Sequence, residues 1–106
     1  MATVKWDAHA RQSRKEILEY GEATWGKHTA QRMYRRIKES TALLAASPYL
    51  GPKEPLLQKH FPAYRSLVIH EHYKLIYRYV EEKEIVWIVD VWDTRHEPRS
   101  LADSLK

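Results

Sequence analysis

Two histidines, His70 and His72, stand at i, i+2 and would turn both imidazoles to one side of a strand, the spacing of a metal-ligand pair. They flank only Glu71, no third ligand stands at a matching spacing, and they read as solvated turn histidines. The absence of cysteine removes disulfides and thiolate metal sites, so neither a metal nor another cofactor is expected. Trp6, Trp25, Trp87 and Trp92 could stack on nucleobases. Trp87 reads as core by its alternation with apolar neighbours. Trp92, beside Arg95 in sequence, is placed for a target or partner interface. A run of cations, Lys27, Arg32, Arg35, Arg36 and Lys38, meets no acid until Glu39. It is either a solvated helix face or a docking surface for something acidic. By residue type alone, Arg65 and Arg95 read as surface ion pairs with Asp90, Asp93 or Glu97.

The elements that must position these groups fit in one small domain. A chain of 106 residues buries roughly 65% of its unfolded surface, enough for a single core. Its formal charge of +4 is unevenly placed: residues 1–60 hold 11 Lys or Arg against 6 Asp or Glu, and residues 61–106 hold 7 against 8. The basic first half favours an acidic partner, protein or nucleic acid. No apolar stretch approaches the ~20 residues of a membrane span. Met1 to Trp6 lacks the basic-then-apolar pattern of a secretion signal, so a cytoplasmic protein with no membrane contact is expected.

The chain is organised around residues 64–92, three runs rich in β-branched and aromatic residues: Tyr64 to Ile69, Tyr73 to Val80 and Ile85 to Trp92. The breaks between them, His70-Glu71-His72 and Glu81-Glu82-Lys83-Glu84, are short and polar, which predicts an antiparallel meander. Before it, Thr3 to Trp6 is a short β candidate ending at Asp7, a good N-cap for a helix from Ala8 to about Thr24. That helix turns Ala10, the Arg14 stem, Ile17, Leu18 and Gly21 inward. Gly26 stops it, and a second helix follows from about His28 to Ala46, with Ala30, Met33, Ile37 and Leu44 at helical spacing. So short a break makes an antiparallel hairpin. Ser47 to Pro55, with three prolines and a glycine, is a constrained loop. Pro98 suits the first turn of a short last helix from Arg99 to Leu105.

Alternation along the meander puts apolar residues on both faces: Tyr73, Leu75, Tyr77 and Tyr79 against Ile76 and Val80, and Trp87, Val89 and Val91 against Val86, Ile88 and Trp92. A helical hairpin covers one face of a sheet. Leu67, Ile69, Ile76, Val80, Ile88 and Trp92 are therefore expected as an exposed patch that a partner buries. A homodimer through the same patch is the alternative.

This layout resembles the RelE/ParE superfamily of bacterial toxins from type II toxin-antitoxin modules, over nearly the whole chain. The resemblance is carried by Ala45-Ala46-Ser47-Pro48-Tyr49-Leu50-Gly51, Tyr64-Arg65-Ser66-Leu67-Val68, Tyr73-Lys74-Leu75-Ile76-Tyr77-Arg78 and Val91-Trp92-Asp93-Thr94-Arg95-His96-Glu97-Pro98. It implies an α+β fold: an N-terminal strand and helical hairpin on a three- to four-stranded, mainly antiparallel sheet, with a short C-terminal helix. It implies a cognate antitoxin whose C-terminal segment wraps the sheet and hairpin, contacting Arg32, Arg35, Arg36, Leu67, Ile69, Ile76 and Trp92.

Members of the superfamily divide into ribosome-dependent mRNA endonucleases and gyrase poisons without nuclease chemistry, and the fold does not decide between them. Metal-free RNA cleavage needs a base for the 2′-hydroxyl, an acid for the leaving oxygen and cations for the phosphate. By motif position, Arg65, Lys74 and Arg95 fall where the similar nucleases gather their cations, and His96 and Glu97 are the available acid and base. An Arg-His pair near the end also resembles the acid of another nuclease branch. The departures point the other way. One nuclease branch puts two lysines on the first strand where this chain has Arg65 and Leu67. Lys74 stands in place of an arginine and lacks its two-pronged phosphate contact. Leu101 and Leu105 occupy the region of a tail tyrosine. The resemblance therefore favours a ParE-like toxin that inhibits DNA gyrase. A RelE-like endonuclease using Arg65, Lys74, Arg95 and His96 on ribosome-bound mRNA is the alternative, and an inactive antitoxin-binding scaffold is a third.

Overall fold

Asp7 ends one element and starts the next. It follows β1 (Thr3–Trp6) in extended conformation, and its carboxylate accepts the Ala10 backbone N–H at 2.8 Å, capping the first turn of α1 (Ala8–Trp25). Gly26 closes that helix at φ 96°, where a side chain would be strained, and α2 (Lys27–Ala46) starts at the next residue. These bounds in a computed structural model, which describes residues 1–57, 59 and 63–95, agree with the spacing of apolar residues. His96 and the last helix expected after Pro98 lie outside the described residues.

The meander forms as β2 (Arg65–His70), β3 (Tyr73–Val80) and β4 (Ile85–Asp93), each antiparallel to the next. β1 adds to the far side of β4, in parallel, giving a mixed sheet of order β1-β4-β3-β2. The hairpin lies on one face. Ala10, Met33, Ile37 and Leu44 pack there against Tyr73, Leu75, Tyr77, Val86, Ile88 and Val91. Leu57, in a short 3-10 turn at the end of the proline-rich loop, packs on the other face with Ile76, Val89 and Trp92.

Simple alternation fails at two places. Tyr77 pairs with Ile88 but Ile76 pairs with Asp90, so β4 carries one extra residue at Val89; β2 slips similarly between Val68 and His70. An inserted residue reverses which side chains face the core beyond it. Val89 and Val91, expected together, separate into the two clusters, as do Ile88 and Trp92. The exposed patch expected on the second face does not form. Ile69 and Ile88 are buried on the hairpin side and Leu67 packs against that core. Ile76 and Trp92 are buried with Leu57, and Val80 is half-buried. Among the described residues, the large apolar side chain most open on the sheet is Val68 of edge strand β2, 70% exposed.

Candidate functional site

Directly paired residues on neighbouring strands share a face, which places each expected cation. Arg65 pairs with Tyr77 and so stands on the hairpin side, whereas Lys74 pairs with Val68 and Trp92 and stands on the other. Arg95 follows β4, beside Tyr73, and Tyr73 lies four residues from Tyr77 along β3, about 13 Å of strand.

Each of the three is engaged within the chain. Lys74 Nζ donates to Glu54 Oε1 at 2.7 Å, with its side chain 14% exposed and that of Glu54 fully covered. Burial disfavours ionised Glu54, but hydrogen bonds from Lys74, Ser66 and the Leu56 backbone N–H outweigh it and hold the carboxyl below its ordinary range. Arg65 Nη1 donates to the Gly51 carbonyl at 2.8 Å, and the guanidinium lies 5.0 Å from the centroid of the Tyr49 ring. Arg95 grips both oxygens of Asp93, through Nε at 3.0 Å and Nη2 at 2.7 Å, and Nη2 reaches the Tyr73 hydroxyl at 3.5 Å. The Asp93 carboxylate pushes the Arg95 pKa further above the guanidinium range.

Arg95 lines a cleft of about 600 Å³ that also holds His9, Ser13 and Tyr20 of α1 and Asp90 of β4. His9 Nε2 lies 3.5 Å from Asp90 Oδ1. Burial raises the Asp90 pKa, with Ser13 and His9 acting against it. Neither His9 nor Glu54 stands in a motif or spacing that marks it in the sequence. A lone acid inside the apolar run of β4 was the one available signal for the cleft, and Glu54, between two prolines, carried none.

The second concentration of charge is on the hairpin. A groove of about 1040 Å³ between α1 and α2 has Leu18, Ala30 and Tyr34 in its wall, rimmed by Arg11, Arg14, Lys15, Lys27, Arg35 and Lys38 against Glu19 and Glu22. Of the arginines expected at an antitoxin surface, Arg35 lines this groove. Arg32 approaches Thr29 at 3.5 Å, and Arg36 turns toward the sheet, where Nη1 donates to the Ile69 carbonyl at 3.4 Å. The contribution of α1 to this face was hidden in sequence by Glu16, Glu19 and Glu22 interleaved with its cations. Among the described residues, no three His, Asp or Glu side chains converge to hold a metal.

Residues 4–98 match the family model of the ParE toxin of the type II toxin-antitoxin system parDE. The chain belongs to the ParE toxin family. Its fold is also that of three solved toxin structures. The chromosomal ParDE system of P. aeruginosa matches at TM-score 0.69 and 18% identity, over 88% of this chain and 96% of that one. The isolated E. coli RelE toxin matches at 0.60 and 17%, over 99% and 98%. The YoeB/ParE toxin from Agrobacterium tumefaciens matches at 0.58 and 19%, over 90% and 99%. No curated protein sequence matches. Membership of the ParE family implies a cognate antitoxin. No helix among the described residues is long and apolar enough to cross a membrane.

Proposed function

We propose that this ParE-family toxin blocks bacterial growth in the cytoplasm by inhibiting DNA gyrase through protein contacts, and that its cognate antitoxin neutralises it. The supporting observation is the separation of Arg65, Lys74 and Arg95, each held by a partner of its own. Metal-free phosphodiester cleavage stabilises a phosphate bearing extra charge, and that takes cations converging on one point. Here Arg65 and Lys74 sit on opposite faces of the sheet, and the Lys74 charge is matched by a carboxylate with no exposure to solvent. Such a pair holds a loop in place and offers little to a ligand.

The antitoxin reading follows charge. A groove with an apolar wall and a cationic rim fits an acidic amphipathic segment, which brings carboxylates to Arg11, Lys15, Arg35 and Lys38. The experiment adds purified toxin to a gyrase supercoiling reaction and, separately, to ribosomes translating a defined mRNA. Inhibited supercoiling with intact mRNA supports the reading. Cleaved mRNA with normal supercoiling replaces it with the endonuclease reading, and loss of neither leaves an antitoxin-binding scaffold.

A further inference from the structure

The segment Ser47-Pro48-Tyr49-Leu50-Gly51 follows α2 as an exposed turn, yet it is fastened from several sides. The Tyr77 hydroxyl donates to the Pro48 carbonyl at 2.9 Å and accepts the Gly51 N–H at 2.9 Å, clamping both ends of the turn to β3. Arg65 Nη1 donates to the Gly51 carbonyl at 2.8 Å. A Cβ on Gly51 would stand 2.2 Å from the Ser66 carbonyl oxygen, so only glycine lets the turn approach β2 this closely. The Tyr49 ring is wedged between the Arg65 guanidinium, 5.0 Å from its centroid, and the Tyr79 ring, edge-on at 5.3 Å. With all this bracing, Tyr49 remains 55% exposed and Leu50 48% exposed.

Resting on the reading above of a toxin that acts by protein contacts, we infer that Tyr49 and Leu50 form a preorganised knob that inserts into an apolar pocket of the folded target protein. Three observations select that occupant. The two side chains stand exposed on a turn, so the partner must supply the pocket that covers them, as a folded protein does and an extended peptide does not. The knob sets a Tyr49 ring held by Arg65 and Tyr79 beside Leu50 on a clamped backbone, so little backbone and Tyr49 side-chain entropy is lost on docking, a property of interface anchors. Its β2 side carries Lys53, exposed, and Arg65, while Glu81 stands at the Tyr49 side chain, so the pocket it fits has a carboxylate on the β2 rim only. The basic hairpin groove ends at Lys38, and the helix from there to Ala46 adds about 12 Å before the loop starts, so antitoxin and target engage separate surfaces.

The test uses the full chain and two single variants at exposed positions, Leu50→Asp and Tyr49→Ser. It reads the melting temperature, inhibition of purified gyrase and growth arrest on induction. Both variants should melt within a few degrees of the parent and need roughly tenfold more protein or greater for half-inhibition of gyrase. Growth arrest should weaken in parallel. If the parent inhibits gyrase and folded Leu50→Asp inhibits equally, the knob is overturned while the gyrase reading stands. If the parent leaves gyrase untouched, the gyrase reading is overturned and growth arrest decides the knob: arrest relieved in the folded variants supports it with another target, and arrest retained overturns it. A parent that arrests nothing overturns both.

Discussion

Lys74 Nζ lies 2.7 Å from Glu54 Oε1, and this contact fastens the proline-rich loop to the face of the sheet away from the helices. Glu54 stands three residues before Leu57, which is buried with Ile76, Val89 and Trp92, so the ion pair and the second apolar cluster secure the same crossing. Removing one partner strands the other charge in a site with almost no water. Lys74→Met or Glu54→Gln should each cost about 3–5 kcal/mol in urea unfolding. A loss below about 1 kcal/mol would show instead that the pair is solvated.

The same pair sets part of the acid response. The Glu54 pKa is lowered in the folded chain, so its contribution is complete above the ordinary value of 4.5 and is lost as pH falls through the lower folded value. Asp90, raised by burial, acts with the opposite sign and adds stability as pH falls. Comparing the parent with Glu54→Gln cancels the Asp90 contribution. Below pH 4.5, the parent should lose stability more steeply than the variant. Parallel curves would contradict the assignment.

Tyr77 is a buried hydroxyl that serves two backbone groups at once, Pro48 O and Gly51 N. Tyr77→Phe keeps the ring in the core and removes both bonds, and should cost about 1–3 kcal/mol. The Gly51 amide should exchange faster with solvent while amides of α1 keep their protection, which separates a loosened loop from a loosened domain.

Much of this architecture is legible in the sequence because its boundaries have local causes. Asp7 caps, Gly26 takes a positive φ, and the polar breaks of the meander fall where the strands turn. The site is less legible because it depends on parity. The extra residue at Val89 has no local signature, yet it divides Ile88 from Trp92; with the slip in β2 that buries Ile69 and the Leu57 turn that covers Ile76 and Trp92, it removes the expected exposed patch. Arg65 and Lys74 looked like members of one cationic surface, but the pairing across the β2 turn places them on opposite faces. Glu54, the partner that neutralises Lys74, sits in a loop without periodicity and is found only once the chain has folded back on the sheet.

The hairpin groove makes its own prediction. Reversing two rim charges, Lys15→Glu with Arg35→Glu, should weaken binding of the cognate antitoxin by about 10- to 100-fold and flatten its dependence on salt. Both side chains are exposed, so the melting temperature should hold, and growth arrest in the absence of antitoxin should be unchanged. Unaltered antitoxin affinity would move that partner to another face.

The central claim, a toxin that acts on gyrase by contact, is tested most directly by a pulse of expression without antitoxin, with incorporation of labelled thymidine and labelled methionine followed through the first minutes. DNA synthesis should fall first while translation continues. Protein synthesis failing first would contradict it and return Arg95, with His96 beside it, to the position of candidate catalytic groups on the ribosome.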